Sequence, residues 1–286
     1  MYAHVRDTVL YFDIDGMGLT PQGGQMVERP PLFLLHGGPG GDHSGFKSTH
    51  PLRDLAQLIF LDHRGCGRSD EGDAATYTLD NNIEDLEALR AHLGLDRICL
   101  LGSSYGGMVA QGYAIRYPHR VSNLILVCTA PSFRFIHDAR TFITEHGTPD
   151  QQRVCGWLWE GAFSSMEQLH EYYRTMGPLY SRNWDAVEFE AVWHRTRRSF
   201  VALNRGFGDF LRTFDFTEQL SQIPCPTLVI AGAHDWICAP HHSQLIARLI
   251  PRAQLKIFAR SGHSVSSDEN ELYLQAIRGF LTYAPG

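Results

Sequence analysis

Long apolar runs are missing from this 286-residue sequence: Leu124–Cys128 and Leu228–Ala231 fall far short of the ~20 residues a membrane span needs. Clusters of Lys and Arg are also missing. With a formal net charge of −6, that argues against a nucleic-acid-binding surface. The six cysteines (Cys66, Cys99, Cys128, Cys155, Cys225 and Cys238) form no C-x-x-C and no close pair, which speaks against a disulfide framework. The first residues, Met1-Tyr2-Ala3-His4-Val5-Arg6-Asp7, carry no apolar stretch of the kind that directs secretion, so a reducing cytoplasm is the expected compartment. Internal repeats, low-complexity tracts and interdomain linkers are absent as well. What remains is an ordinary globular composition, 43% hydrophobic and 20% charged, in a chain long enough for one large core with an insertion.

Short apolar, β-branched runs alternate with helical patterns, as in a mostly parallel sheet covered by helices on both faces. The expected strands are Thr8–Ile14, Pro31–Leu35, Leu58–Leu61, Arg97–Leu101, Leu124–Val127, Thr227–Ala231 and Gln254–Phe258. The expected helices are Asp80–Leu93, Met108–Tyr117, Pro240–Ile250 and Asp268–Thr282, the last opening on acidic residues that suit a helix N-terminus. The alternation stops between Ser132 and Phe214, where amphipathic segments such as Met166–Met176 and Ala186–Leu203 replace strands. That stretch holds 16 of the 32 aromatic residues in 83 positions, an enrichment that suggests a separate helical layer. The expected organisation is an α/β core from residues 1–131 and 215–286, with a helical cap, 132–214, inserted after the strand Leu124–Val127.

The strand Arg97–Leu101 runs straight into Gly102-Ser103-Ser104-Tyr105-Gly106-Gly107 and then a helix. A Gly-x-Ser-x-Gly turn between strand and helix projects the serine hydroxyl from a sharp corner, and its glycines allow close passage of neighbouring chain. The pattern selects Ser104, because Ser103 would have Leu101 and Tyr105 where glycines belong. A serine hydroxyl needs a base within reach and an acid to orient the base. On such a sheet the acid and histidine follow later strands, in that order. Asp235 lies just past the strand Thr227–Ala231, and His263 lies in the loop past Gln254–Phe258, so all three residues are expected at one edge of the sheet. Asp235 as a mere helix cap and His263 as a solvated surface histidine are the competing structural readings.

Acyl transfer also requires donors to the developing oxyanion. The N–H of Tyr105, directly after the serine, is one. The N–H of Gly38, in His36-Gly37-Gly38-Pro39-Gly40-Gly41 after the strand Pro31–Leu35, is the other. No Gly-Lys-Ser/Thr follows that loop, which argues against phosphate binding. His234 and the His241-His242 pair find no third ligand at a recognisable spacing, so neither a metal nor any other cofactor is expected.

The blocks His36-Gly37-Gly38-Pro39-Gly40, Asp62-His63-Arg64-Gly65-Cys66-Gly67-Arg68-Ser69 and Gly102–Gly107 resemble the proline iminopeptidase family of α/β-hydrolases, including the tricorn-associated aminopeptidases. The resemblance covers about 31–130 and 223–262 and weakens through the cap. It implies Ser104 as nucleophile, Asp235 as acid, His263 as base, Gly38 and Tyr105 as oxyanion donors, and cofactor-free removal of N-terminal residues, often proline. Three departures fall on specificity. His63 stands where the family usually has Gln. Trp236 follows the acid, where tricorn-associated members have Glu. Asp235-Trp236-Ile237-Cys238 instead resembles members with a cysteine three residues after the acid, which would put Cys238 beside the site and within reach of a bulky thiol reagent. In Asn204-Arg205-Gly206-Phe207-Gly208-Asp209-Phe210, Asp209 is the candidate for meeting a substrate amine.

The expected reaction is hydrolysis of a short peptide or other small molecule through an acyl-enzyme. The first rival is an esterase, lactonase or amidase for hydrophobic acyl compounds, suggested by Trp157, Trp159, Phe163, Trp184, Trp193 and Trp236, although such aromatics also suit a cap core. A non-catalytic receptor is a second rival, against which the complete Ser-Asp-His set speaks. No feature of the sequence addresses oligomeric state.

Overall fold

Leu32, Phe33, Leu34 and Leu35 are completely shielded from solvent, as a strand covered on both faces requires. They form most of β5 (Pro31–Leu35) in the middle of an eight-stranded sheet. The computed structural model, which describes residues 1–283, orders this sheet as β1 (Tyr2–Val5), β2 (Thr8–Asp15), β6 (Gln57–Leu61), β5, β7 (Ile98–Ser103), β8 (Val121–Val127), β9 (Thr227–Gly232) and β10 (Ala253–Phe258). β1, β2 and β6 pair antiparallel, and from β6 to β10 every pairing is parallel. Strands β3 (Leu19–Gln22) and β4 (Gln25–Glu28) make a separate hairpin around Gly23-Gly24. The hairpin escapes a sequence reading because its side chains are nearly all exposed and show no apolar alternation.

Helices α1 (Leu79–His92), α2 (Tyr105–Arg116) and α8 (Pro240–Leu249) cover one face of the sheet. The other face packs on α10 (Asn270–Tyr283), through Tyr273, Ile277 and Phe280, and on a 3-10 stretch from His43 to Asp54. A short α9 (Val265–Asp268) precedes α10. This is the α/β-hydrolase fold, a mostly parallel sheet flanked by helices. No helix among the described residues is long and apolar enough to cross a membrane.

Between β8 and β9 every helix-length segment is helical: α3 (Arg134–His146), α4 (Pro149–Glu160), α5 (Met166–Tyr180), α6 (Ala186–Trp193) and α7 (Phe200–Gly208). The chain leaves and returns at one point, where Ser132 bridges Asp215 and the Phe133 N–H donates to the Phe214 carbonyl. Side-chain caps on Thr148, Ser165, Asp185 and Ser199 set the starts of α4 to α7. The aromatics fill this layer. Trp159, Phe163 and Tyr172 are buried in a cluster continuous with the core under α2, and Trp157 and Trp193 pack against it.

Two of the boundaries that differ from the sequence reading have a clear physical cause. The amphipathic segment Ala186–Leu203 is two helices, because His194 to Ser199 is drawn onto the loop after β5. There the Arg197 N–H donates to Asp42 (2.8 Å) and the Ser199 N–H to the Gly40 carbonyl (2.9 Å). The last long helix begins at Asn270 rather than Asp268, since Asp268 and Glu269 spend their carboxylates on other loops.

α2 lies so close to β5 that a Cβ on Gly106 would sit 1.9 Å from the Leu35 carbonyl oxygen. Gly156, inside α4, has nothing within 4 Å of the equivalent position. Gly106→Ala is therefore expected to destabilise the protein by about 1–3 kcal/mol or more. Gly156→Ala should stabilise it by about 0.5–1 kcal/mol, through reduced chain entropy alone. Urea denaturation of the two variants checks both signs, and equal effects would contradict the packing described.

Candidate active site

The turn that carries Ser104 joins β7 to α2 with φ 55° and ψ −120° at the serine, a backbone state costly for a residue with a side chain. Four hydrogen bonds hold it there, the longest from the Met108 N–H to the Ser104 carbonyl at 3.3 Å. The Ser104 N–H donates to the Val127 carbonyl (2.9 Å), and the Ser104 carbonyl accepts from the Thr129 hydroxyl (2.7 Å) and the Gly107 N–H (2.9 Å). Gly102 is required because a Cβ there would lie 2.3 Å from the Gly106 carbonyl oxygen.

Asp235 follows β9 and is buried. One carboxylate oxygen accepts the N–H groups of Ile237 and Cys238, both at 3.0 Å, and the other lies 2.8 Å from His263 Nδ1. The carboxylate is thus oriented by its own loop and turned to the histidine. It does not cap α8, whose N-terminus at Ala239 has no side-chain cap. With Nδ1 engaged by Asp235, Nε2 is the ring nitrogen left for the cavity, which His263 and Ser104 both line. The Tyr180 ring, from α5, packs nearly perpendicular to the imidazole, with ring centroids 5.5 Å apart. Cys128, just past β8, brings its thiol within 4.8 Å of the Asp235 and His263 ligand atoms, and burial beside Asp235 pushes that thiol well above its usual pKa.

The loop of His263 is itself anchored. Asp268 accepts the Gly262 N–H with one oxygen (2.8 Å). With the other it accepts the Ser181 hydroxyl (2.6 Å) and the N–H groups of Arg182 (2.9 Å) and Asn183 (3.2 Å). Glu269 accepts the Arg260 N–H and the Ser261 hydroxyl. Both carboxylates read in sequence as helix-dipole residues; Glu269 secures the start of the histidine loop, and Asp268 ties that loop to the helical insertion.

Gly37 and Gly38 line the cavity, and a Cβ on Gly37 would lie 3.0 Å from Ser104 Cβ, so this loop passes directly beside the serine. His36 keeps it in place. Its Nε2 accepts the His63 N–H (3.1 Å), which leaves Nδ1 to donate to the Gly37 carbonyl (2.9 Å). Burial lowers the His36 pKa, against the opposing charge of Asp62, and this agrees with a neutral ring in that one tautomer. His63 packs between the rings of His36 (4.5 Å) and Tyr105 (5.7 Å), and burial holds its pKa well down. Tyr105 is the first residue of α2, so its N–H has no carbonyl four residues back within the helix and is available to a ligand. Its phenol is buried against Asn82, 2.5 Å away.

The cavity measures about 580 Å³ and is walled by Phe135, Tyr172, Tyr173, Trp184, Phe189 and Phe207, all from the insertion. Three carboxylates line it. Asp42 is engaged by the Arg197 and Ser44 N–H groups and Asp185 by the Glu188 N–H, whereas Glu188 makes no ion pair among the described residues. No motif in the sequence singles out Glu188, which sits in an ordinary amphipathic helix.

The remaining predicted residues fall elsewhere. Asp209 follows α7, is more than half exposed, pairs with Arg205 at 2.8 Å and does not line the cavity. Trp236 is buried, with its ring edge-on to Tyr180 (5.4 Å) and Trp159 (6.3 Å), behind the cavity wall rather than on it. Cys238 does neighbour Asp235, through its N–H, but its thiol is 1% exposed and burial raises its pKa well above normal, so a bulky reagent has no path to it. None of these three residues lines the cavity that holds Ser104.

Comparison with known proteins agrees with this geometry. A family model described as the alpha/beta hydrolase fold matches residues 30–269. Proline iminopeptidase PfmaB of Pestalotiopsis fici is 32% identical over 280 residues, covering 96% of this chain and 99% of its own. Among solved structures, the proline iminopeptidase of Mycobacterium smegmatis superposes with a TM-score of 0.78 at 22% identity, over 99% of this chain and 97% of that one. An esterase from Exiguobacterium antarcticum gives the same TM-score and identity over 98% of both chains, so the fold alone does not separate the two chemistries. The matched length and the identity across nearly the whole of both chains place this protein in the proline iminopeptidase family of α/β-hydrolases.

Proposed function

We propose that this protein is a serine aminopeptidase that releases N-terminal residues, proline among them, from short peptides, with Ser104, His263 and Asp235 as its catalytic triad. The observation that carries the reading is the buried Asp235 carboxylate held 2.8 Å from His263 Nδ1, on a histidine that shares its cavity with Ser104. His263 Nε2 takes the Ser104 proton as the hydroxyl attacks the scissile carbonyl. The N–H groups of Gly38 and Tyr105 receive the oxyanion, and Asp235 stabilises the imidazolium. The imidazolium then protonates the leaving amine, and a water deprotonated by His263 releases the acyl group as the free amino acid.

Residues 132–214 act as the cap in this reading, since their aromatics form most of the cavity wall. An aromatic wall suits the apolar face of a pyrrolidine ring. Glu188, the lining carboxylate without an ion pair among the described residues, is the group assigned to the substrate ammonium in place of Asp209. The second reading, an esterase, lactonase or amidase for hydrophobic acyl groups, draws on the same walls and on a Trp rather than an acid after Asp235.

Ser104→Ala is expected to lower kcat by ~10⁶ and Asp235→Asn by ~10⁴, as in comparable triads. Near-normal turnover by purified Ser104→Ala would end the proposal. The substrate class is decided by kcat/KM on prolyl and alanyl anilides with free and N-acylated amines, beside a p-nitrophenyl ester and an acyl lactone. A strong requirement for the free amine is expected, and preference for the blocked form would favour the second reading. Glu188→Gln should raise KM for the free-amine anilide about 10- to 100-fold, the worth of one charged hydrogen bond, and leave ester turnover unchanged. An unchanged KM would remove Glu188 from the ammonium site.

A further inference from the structure

On the outer side of the molecule, α3 of the insertion meets the first turn of α8 in the core. There Asp138, His241 and His242 bring three ligand atoms within 4.8 Å of one another. His241 Nε2 lies 2.8 Å from Asp138 Oδ2, and His242 Nε2 lies 3.0 Å from that same oxygen. The second contact lacks the alignment of a hydrogen bond. His242 is 4% exposed and its Nε2 is buried with no hydrogen-bond partner. The nitrogen is therefore left unsatisfied within the cluster that the three ligand atoms form. A buried ring nitrogen left this way is costly, and a cation between the three atoms removes the cost. Successive residues on a helix project about 100° apart, yet the two imidazoles here lie with centroids 4.1 Å apart, tilted by 41°, and converge on one carboxylate.

We propose that Asp138, His241 and His242 form a site for a divalent transition-metal cation, Zn²⁺ first among them. Two imidazoles and one carboxylate without a thiolate suit Zn²⁺ and its neighbours rather than Mg²⁺ or Ca²⁺. Tetrahedral coordination at ~2.0–2.1 Å needs ligand atoms ~3.3 Å apart; the two His–Asp separations, 2.8 and 3.0 Å, are near that value, and the two ring nitrogens lie within 4.8 Å of each other. Asp138 and His241 are partly exposed, which gives an ion access and lets water fill the fourth position. None of the three residues lines the cavity that holds Ser104. The metal is accordingly a clamp between insertion and core: it joins α3 to a helix that begins five residues after Asp235. The third ligand lies 103 residues from His241, which is why the spacing around the histidines shows no site.

Chelator-treated protein titrated with Zn²⁺ against a chromophoric competitor tests the assignment, alongside Asp138→Asn and His241→Ala. His242 is left intact because it is buried. The unmodified chain is expected to bind one equivalent with a rise in Tm, and Co²⁺ in its place should show the visible bands of tetrahedral coordination. Each variant should lose at least tenfold in affinity and the Tm rise with it, while its Tm without metal shows that it is folded. Activity is not the readout, because Cys128, Asp235 and His263 also converge, and Zn²⁺ there would inhibit without touching α3. Equal affinity and Tm shift in the variants would assign the binding to that second cluster or to scattered histidines, and would overturn the proposal. So would the absence of binding to the unmodified chain.

Discussion

The backbone of one residue, Ser104, is the constraint on which the rest of the site depends. A side-chain-bearing residue at φ 55° and ψ −120° costs of order 1–3 kcal/mol and persists only where its surroundings over-determine it. β8 accepts its N–H through Val127, Thr129 caps its carbonyl, and Gly102 and Gly106 let α2 lie against β7 and β5 at backbone contact. The strain is thus held by the best-buried part of the sheet, and the hydroxyl is set without support from its own side chain. The same helix start leaves the Tyr105 N–H without an intrahelical acceptor, beside the serine.

Around this corner the polar groups form short chains, most of them anchored on backbone. His36 links the Gly37 carbonyl to the His63 N–H. Asp62, two residues from Arg64, accepts from His43 and from the Arg68 N–H. Burial alone would raise its carboxyl, but these hydrogen bonds bring it below the usual range. Arg64 makes a buried two-point contact with Asp85 of α1. The Asp62–Ser69 block therefore acts as a brace behind the glycine loop. Its recurrence in the family resemblance has a physical basis in the folded chain, apart from any contact with substrate.

Legibility in the sequence followed how local each signal is. Gly102, Ser104 and Gly106 are readable because steric crowding leaves glycine no alternative. Asp235 and His263 are readable because strand order predicts which loops share an edge. The central strands announce themselves through runs such as Leu32–Leu35, buried on both faces. Where the deciding partner lies outside the motif, the reading fails. Asp209 resembles an amine-binding acid in its segment, but Arg205, one helical turn away, takes its charge. Asp268 and Glu269 look like helix-dipole residues, but their partners lie at 181–183 and 260–262. The break between α6 and α7 depends on Gly40 and Asp42, more than 150 residues upstream.

Asp268 has a mechanical consequence. One carboxylate grips both the residue before His263 and the segment that follows α5, and the Ser264 N–H adds a bond to the Tyr180 carbonyl (2.9 Å). The roof over the cavity and the loop that carries the imidazole are thereby yoked. Any ligand bulky enough to lift residues 180–183 would tug on the His263 imidazole as it did so, and one that fits would leave the ring at rest. Size discrimination would then appear as slowed turnover of oversized molecules that still gain entry.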